Sequence, residues 1–299
     1  MRQGVNDIVR QLTEIRATRP IAIQEAWNHR ARRPLLSRGR LFLVAADHPA
    51  RGVLKVGADP QAMGDRGELL RRLVAALERP GVDGVLGTPD VLEDLVLLRA
   101  LEGKLAFGSM NRGGLAGSAF ELDDRFTAYD ADGIERDGLD GGKMMVRIAD
   151  RDRGSLETLV ACARAIDSLA ERGLPALVEV FASRIEPDGN AVNDMDPSAL
   201  ARAIAIASGL GSTSAYTWLK IPVLEDMRPI AAATTLPLVL LGGDPGRDAA
   251  ATFARWERAM SLPQVRGLVA GRALLYPEDG DVANAVDRAA AVVRKAVAA

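Results

Sequence analysis

Residues 41–52 read Leu-Phe-Leu-Val-Ala-Ala-Asp-His-Pro-Ala-Arg-Gly. The first six are an apolar run of strand length, and Asp47 to Gly52 form the turn that follows it. An open, doubly wound α/β sheet that binds a dinucleotide carries Gly-x-Gly-x-x-Gly at this point, so that backbone amides approach the pyrophosphate. Here the turn holds a single glycine, Gly52, at its end. That disfavours the nearest rival of a closed barrel. Outward from this stretch the same unit repeats. Apolar runs fall at residues 84–86, 105–109, 143–148, 176–181, 216–221, 236–241 and 265–270, which with the first make eight candidate strands. Between them lie segments with apolar residues at i, i+3 and i+4, among them 67–77, 155–172, 197–208 and 249–260. Strands alternating with helices of this length imply parallel βαβ units, and eight such units close into an α/β fold of the (β/α)8 TIM-barrel type.

The length agrees. The 299 residues fit one barrel of about 250 residues plus an extension. Residues 1–38 read as an N-terminal helical extension, with helices at 5–15 and 21–32 placed to cap the barrel floor, and 39–299 as a single catalytic barrel. Two stretches, 111–142 and 184–196, are rich in Gly and Asp or Asn and follow strands. They read as loops at the face where barrel enzymes react.

Composition narrows the function. A net charge of −2 and 4% aromatic residues argue against a nucleic-acid partner. Cys162 is the single cysteine, so no internal disulfide forms, and a reducing compartment is expected. No apolar stretch approaches 18 residues, and residues 1–20 lack a signal sequence core. The chain therefore reads as a soluble cytoplasmic protein without a membrane partner. With two histidines, His29 and His48, and one cysteine, the usual zinc ligands are scarce, and no metal or other cofactor is expected.

Lysine usage is the most informative count. Five of the 38 basic residues are lysines and the other 33 are arginines. Yet Lys143 and Lys220 both stand inside apolar strand runs. Arginine would serve equally well as a solvated charge, whereas only lysine forms a Schiff base. Lys220 shares a strand face with Trp218 and Tyr216; desolvation in such a wall lowers an amine's pKa and yields a nucleophile. Lys143, on an alternate strand, would add a second cation to the same layer. The structural alternative is that both lysines are ion-paired or at strand ends in water. Glu179, in Leu-Val-Glu-Val-Phe, is a mid-strand carboxylate that needs a partner: a salt bridge to a lysine or to Arg147, or proton transfer to a carbinolamine. Asp47 reads either as a turn residue or as a group that binds substrate hydroxyls, and His48 as a packed residue or a base. Asn111, after the third strand, Arg147 in the fourth and His48 after the first are further candidates to bind substrate or phosphate. Gly242-Gly243-Asp244 and Gly271-Arg272 follow the last two strands, where glycine loops and a helix N-terminus form the usual barrel phosphate site.

With these residues in place, the chain resembles the class I, Schiff-base aldolase superfamily over residues 40–275, most closely its tagatose-bisphosphate and sulfofructose-phosphate branch. Ala-Asp-His-Pro-Ala-Arg-Gly is similar to the superfamily's first-strand segment and carries its active-site aspartate onto Asp47. Gly-Gly-Lys-Met-Met-Val-Arg resembles the fourth-strand segment, which implies the second lysine at Lys143. Val-Glu-Val-Phe implies the acid/base at Glu179, and Trp-Leu-Lys-Ile-Pro-Val the Schiff-base lysine at Lys220. Leu-Leu-Gly-Gly and Val-Ala-Gly-Arg-Ala are similar to the two phosphate loops. His48-Pro49 replaces the family's Gln-Arg, the loop Met110-Asn111-Arg112-Gly113-Gly114 is distinct, and Lys220-Ile-Pro-Val departs from the Lys-Thr-Ser-Thr-Gly of deoxyribose-phosphate aldolases.

The resemblance implies a metal-independent carbon–carbon lyase acting on a phosphorylated keto sugar. Ile-Arg-Ala-Thr-Arg-Pro together with Ala-Asp-His-Pro-Ala-Arg-Gly also resembles an actinobacterial barrel family linked to myo-inositol catabolism. That implies cleavage of 5-dehydro-2-deoxygluconate 6-phosphate to dihydroxyacetone phosphate and malonate semialdehyde. Sulfofructose 1-phosphate, tagatose or fructose bisphosphate and deoxyribose 5-phosphate are alternative substrates, and a non-catalytic phosphosugar-binding barrel is the alternative of another class. Related barrels often self-associate, and the N-terminal helices are the candidate interface. The acceptor of the cleaved hydroxyl's proton stays open among Glu179, His48, Asp47 and water.

Overall fold

The computed structural model describes residues 2–243 and 249–295. In chain order its helices and strands are α1 (Arg2–Thr18), α2 (Ile21–His29), β1 (Leu41–Ala45), α3 (Arg66–Leu77), β2 (Gly84–Gly87), α4 (Pro89–Leu97), β3 (Leu105–Ser109), α5 (Ala131–Arg136), β4 (Gly141–Ile148) and α6 (Arg153–Glu171). They continue with β5 (Ala176–Ile185), β6 (Ala191–Asp194), α7 (Pro197–Ser208), β7 (Thr217–Ile221), α8 (Arg228–Ala231), β8 (Leu238–Leu241), α9 (Ala249–Met260), β9 (Val265–Ala270), α10 (Arg272–Leu275) and α11 (Val282–Lys295). Eight strands pair in parallel in the order β4-β3-β2-β1-β9-β8-β7-β5, and β5 pairs again with β4. The ring is therefore closed, a (β/α)8 barrel as the alternation predicts.

Strand alternation sorts the core into two. Inward positions Leu41, Leu43, Leu105, Phe107, Leu177 and Val239 form a small apolar cluster within the barrel. Outward positions such as Val178, Val180, Leu219 and Leu240 join the larger layer between strands and helices. Because side chains alternate along a strand, one residue of slip would exchange these two sets.

The extension departs from its expected place. Helices α1 and α2 lie outside the barrel against α3 and α4, and Arg16 donates to Glu93 (2.8 Å) and Asp94 (2.9 Å) of α4. The floor is closed by the chain that follows them. Leu35 packs onto Leu41, Phe107, Leu177 and Trp218 at the lower end of the interior. Arg30 donates to Asp140 (3.2 Å), and Arg33 pairs with Asp83 (3.1 Å). An amphipathic helix needs a neighbour along its whole length, and the flank of α3 and α4 offers one.

The second correction lies at the mouth. Residues 184–196 read as a loop, yet β5 runs on to Ile185 and turns back as β6, an antiparallel hairpin with Ser183 opposite Asn193. The 111–142 stretch is irregular as far as Asp130, which caps α5 by accepting from Gly133 N.

Candidate active site

Each strand delivers its polar residue to the mouth by alternation. On β4 the inward residues are Lys143, Met145 and Arg147; on β5 they include Glu179 and Phe181. Register then fixes neighbours: Glu179 lies opposite Lys220 on β7 and opposite Met145 on β4. The result is a cavity of about 410 Å3, with Asp47, Lys143, Glu179 and Lys220 in its wall.

These four groups form one connected cluster. Lys220 Nζ donates to Glu179 Oε1 at 2.6 Å. Lys143 pairs with the other oxygen of Glu179 and donates to Asp47 Oδ2 at 3.1 Å. Asp47 Oδ2 also accepts from Ser109 Oγ (3.0 Å) and from Arg112 Nη1 (2.9 Å), and the Asp47 carbonyl accepts from Arg112 Nη2. Burial opposes ionisation of Glu179, but Lys143 and then Lys220 override it and hold the carboxyl well below the usual range. Asp47 behaves alike: burial pushes it up, and Lys143 and Arg112 pull it well down. Burial lowers the Lys143 amine, against the attraction of Asp47 and Glu179. The arrangement is thus two carboxylates and two amines joined by single hydrogen bonds and ion pairs, in a pocket that screens them poorly.

His48 follows Asp47 and precedes the short turn Pro49–Arg51. Burial drives its pKa down to about 3, so the ring is neutral at pH 7. Among the described residues its Nδ1 has no hydrogen-bond partner.

Opposite β4, the glycine loops end β8 and β9. Gly243 has φ +68°, which favours glycine, and no atom stands within 4 Å of where a Cβ would be. A Cβ on Gly271 would meet Ala45 O at 2.3 Å, so only glycine fits there. The Gly242 N–H donates to Val269 O (3.2 Å), extending the strand ladder, so Gly242 offers the cavity space rather than an amide. Gly242, Gly243, Gly271 and Arg272 all line the pocket. Asp244 lies outside the described residues.

Two expectations shift on geometry. Asn111 does not line the cavity: its buried amide donates to Met145 O (2.6 Å) and accepts from Met145 N (2.7 Å), as a strand would. The aromatic wall round Lys220 does not form either, since Tyr216 precedes β7 and is exposed, while Trp218 packs lower in the interior. Arg147 does reach the cavity and pairs with Glu121 of the β3–α5 loop. Unforeseen are Arg112, which grips Asp47, and Arg51, which donates to Gly114 O (2.8 Å) and Asn111 O (2.6 Å) and pairs with Asp124. Both had a signal in the sequence, as arginines beside the quoted Asp47 and Asn111, but nothing local gave them partners.

Among the described residues no helix is long and apolar enough to cross a membrane. No curated protein matches the sequence. The crystal structure of Cgl0159 from Corynebacterium glutamicum is similar over 97% of each chain, at 50% identity and a TM-score of 0.93. An archaeal fructose-1,6-bisphosphate aldolase, its catalytic lysine covalently bound to the carbinolamine intermediate, aligns over 91% of this chain and 99% of its own, at 17% identity and a TM-score of 0.64. Fructose-bisphosphate aldolase from Slackia heliotrinireducens aligns over 93% and 89%, at 15% identity and a TM-score of 0.67. At such identities the last two share the fold with this chain. The family model for Cgl0159-like proteins matches residues 39–290, and the chain belongs to the Cgl0159-like family.

Proposed function

We propose that this protein is a class I aldolase that cleaves a phosphorylated keto sugar through a Schiff base on Lys220. The observation that carries the reading is the buried Glu179 carboxylate, bridging two lysines in a cavity that faces glycine loops. The structural carboxylates of this chain, Asp83 and Asp140, are held by arginines, which keep their protons. Two lysines on one carboxylate instead give an amine a route to lose and regain its proton. The fold neighbour that holds a carbinolamine on its lysine supports the same reading.

In the proposed cycle Lys220 attacks the substrate ketone, and the carbinolamine loses water with the proton relayed by Glu179. The resulting iminium draws in the electron pair of the adjacent carbon–carbon bond as it breaks. The aldehyde fragment leaves as its hydroxyl gives up a proton, and an enamine remains on Lys220. Protonation of the enamine carbon and hydrolysis release the ketone fragment and restore the amine. The iminium is the electron sink, so no metal is required. Lys143 keeps Glu179 ionised, Asp47 binds substrate hydroxyls, and Gly243 and Arg272 receive the phosphate. The substrate at the head of the panel is 5-dehydro-2-deoxygluconate 6-phosphate, on the resemblance of the sequence; ketose bisphosphates and sulfofructose 1-phosphate follow it.

The test is borohydride reduction in the presence of dihydroxyacetone phosphate and chelator, followed by intact-mass and peptide mass spectrometry. A reduced adduct on the Lys220 peptide is expected. An adduct on Lys143 would reverse the two lysine roles. Folded protein that traps none of several ketose phosphates would overturn the reading in favour of a phosphosugar-binding barrel without catalysis.

A further inference from the structure

The cavity wall carries more arginine than one phosphate needs. Arg51 is spent on two loop carbonyls and Asp124, and Arg112 is spent on Asp47. Arg147 differs. It lies on β4, which stands across the ring from β9 and hence from the Gly271-Arg272 end of the cavity. Met145, two residues before it, is the register partner of Glu179. Arg147 therefore sits one inward position, about 7 Å along the strand, above the Glu179–Lys220 pair. Its guanidinium is largely buried, and its one hydrogen bond among the described residues goes to the carboxylate of Glu121. That carboxylate is not part of the barrel. It hangs on the β3–α5 loop, where its second oxygen accepts from Gly117 N at 2.7 Å. Ser155 of α6, by contrast, ties Arg147's backbone to the scaffold, donating to Arg147 O at 3.0 Å.

A rigidly mounted arginine whose only anion among the described residues is lent by a loop is an exchangeable carboxylate site. We propose that Arg147 receives a terminal carboxylate of the substrate in place of Glu121, so that the substrate is a phosphorylated keto sugar acid, phosphate at the β8–β9 loops and carboxylate at β4. This rests on the aldolase reading, and it gives the carboxylate of the acid at the head of that panel a named side chain to bind. Planar guanidinium–carboxylate pairing is directional, and the glutamate already marks the geometry that fits. A phosphate would bring three oxygens and roughly twice the charge to a place shaped by a carboxylate.

The condensation direction tests it, with dihydroxyacetone phosphate as donor and three aldehydes as acceptors: malonate semialdehyde, propanal and glyceraldehyde 3-phosphate. The wild type should prefer malonate semialdehyde. In Arg147→Met its kcat/KM relative to propanal should fall about 100-fold, the scale of one buried charge-assisted pair. Glu121→Gln should act in the opposite direction and lower KM for malonate semialdehyde several-fold, because the competing charge is gone while the amide oxygen still accepts from Gly117. Equal loss for all three aldehydes in both variants would overturn the proposal and make the pair a loop strap. Preference for glyceraldehyde 3-phosphate, lost in Arg147→Met, would overturn it in favour of a second phosphate. Deuterium exchange into dihydroxyacetone phosphate by the wild type reports the enamine by itself; absence of exchange would sink the aldolase reading and not this assignment alone.

Discussion

Each end of the barrel buries carboxylates against cations; the floor pairs use arginine, and the mouth adds lysine to arginine. At the floor Asp83 accepts from Phe42 N (2.8 Å) and Arg294 (2.7 Å) and pairs with Arg33. Asp140 accepts from Ala106 N (2.8 Å) and from Arg30 and Arg32. At the mouth Asp47 and Glu179 meet Lys143 and Lys220, Asp47 also meets Arg112, and among the described residues these carboxylates accept from side chains rather than from strand amides. Arginine keeps its proton at any working pH, so the floor pairs are fixed. Lysine is the cation that can form a Schiff base, which the proposed cycle uses at the mouth. The same motif, a buried carboxylate between cations, serves architecture below and, in the proposed cycle, proton transfer above.

The contrast breaks most sharply at Lys220. Lys220→Arg keeps the charge and removes the nucleophile, so cleavage should fall by about 10⁴-fold or more while circular dichroism stays native. Near-normal turnover would mean the mouth is only another fixed pair. The floor should give the reverse. Asp140→Ala strands Arg30 and the Ala106 amide, and should cost about 3–5 kcal/mol in urea unfolding with kcat retained.

Two finer tests sharpen the comparison. Lys143→Met takes away the largest attraction that holds Glu179 and Asp47 low, so the acid limb of the pH–rate profile should move to higher pH. An unmoved limb would remove Lys143 from the proton economy. His48 supplies the smallest effect. Its folded pKa of about 3 lies below the ordinary 6.5. Between those values the unfolded chain binds the proton and the folded one does not, so stability is full above pH 6.5 and falls as pH drops toward 3. His48→Gln should flatten that part of the stability curve by one to a few kcal/mol, about half of what full burial would give, because the ring keeps partial solvent contact. Parallel curves for the two proteins would show the ring to be solvated.

Most of the barrel was legible because alternation and helical periodicity are local. Val178, Glu179 and Val180 announce one inward group between two outward ones whatever surrounds them. What joins Glu179 to Lys220 is register across 41 residues of chain, which no local pattern carries. Asp47 could be marked as polar at a strand end, but its contact with Lys143 spans 96 residues. Arg112 and Asn111 were obscured for another reason. They lie in an irregular segment, where neither period applies and the side chain's partner is set by tertiary contact. The 184–196 hairpin was misread because Pro187, Asp188 and Gly189 spell a turn, and the short polar strands on either side carry no apolar alternation. The floor plug depended on one residue, Leu35, between arginines.

Asp83 also has a consequence for how the molecule is made. Its carboxylate holds Arg33, from the segment before the first strand, and Arg294, near the end of the last helix. The first clasp partner leaves the ribosome about 260 residues ahead of the second, at roughly half a minute's interval for ordinary elongation. Until then the floor of the nascent barrel has half its latch. Translation speed through the final helices should therefore govern the yield of correctly closed chains more than speed anywhere earlier.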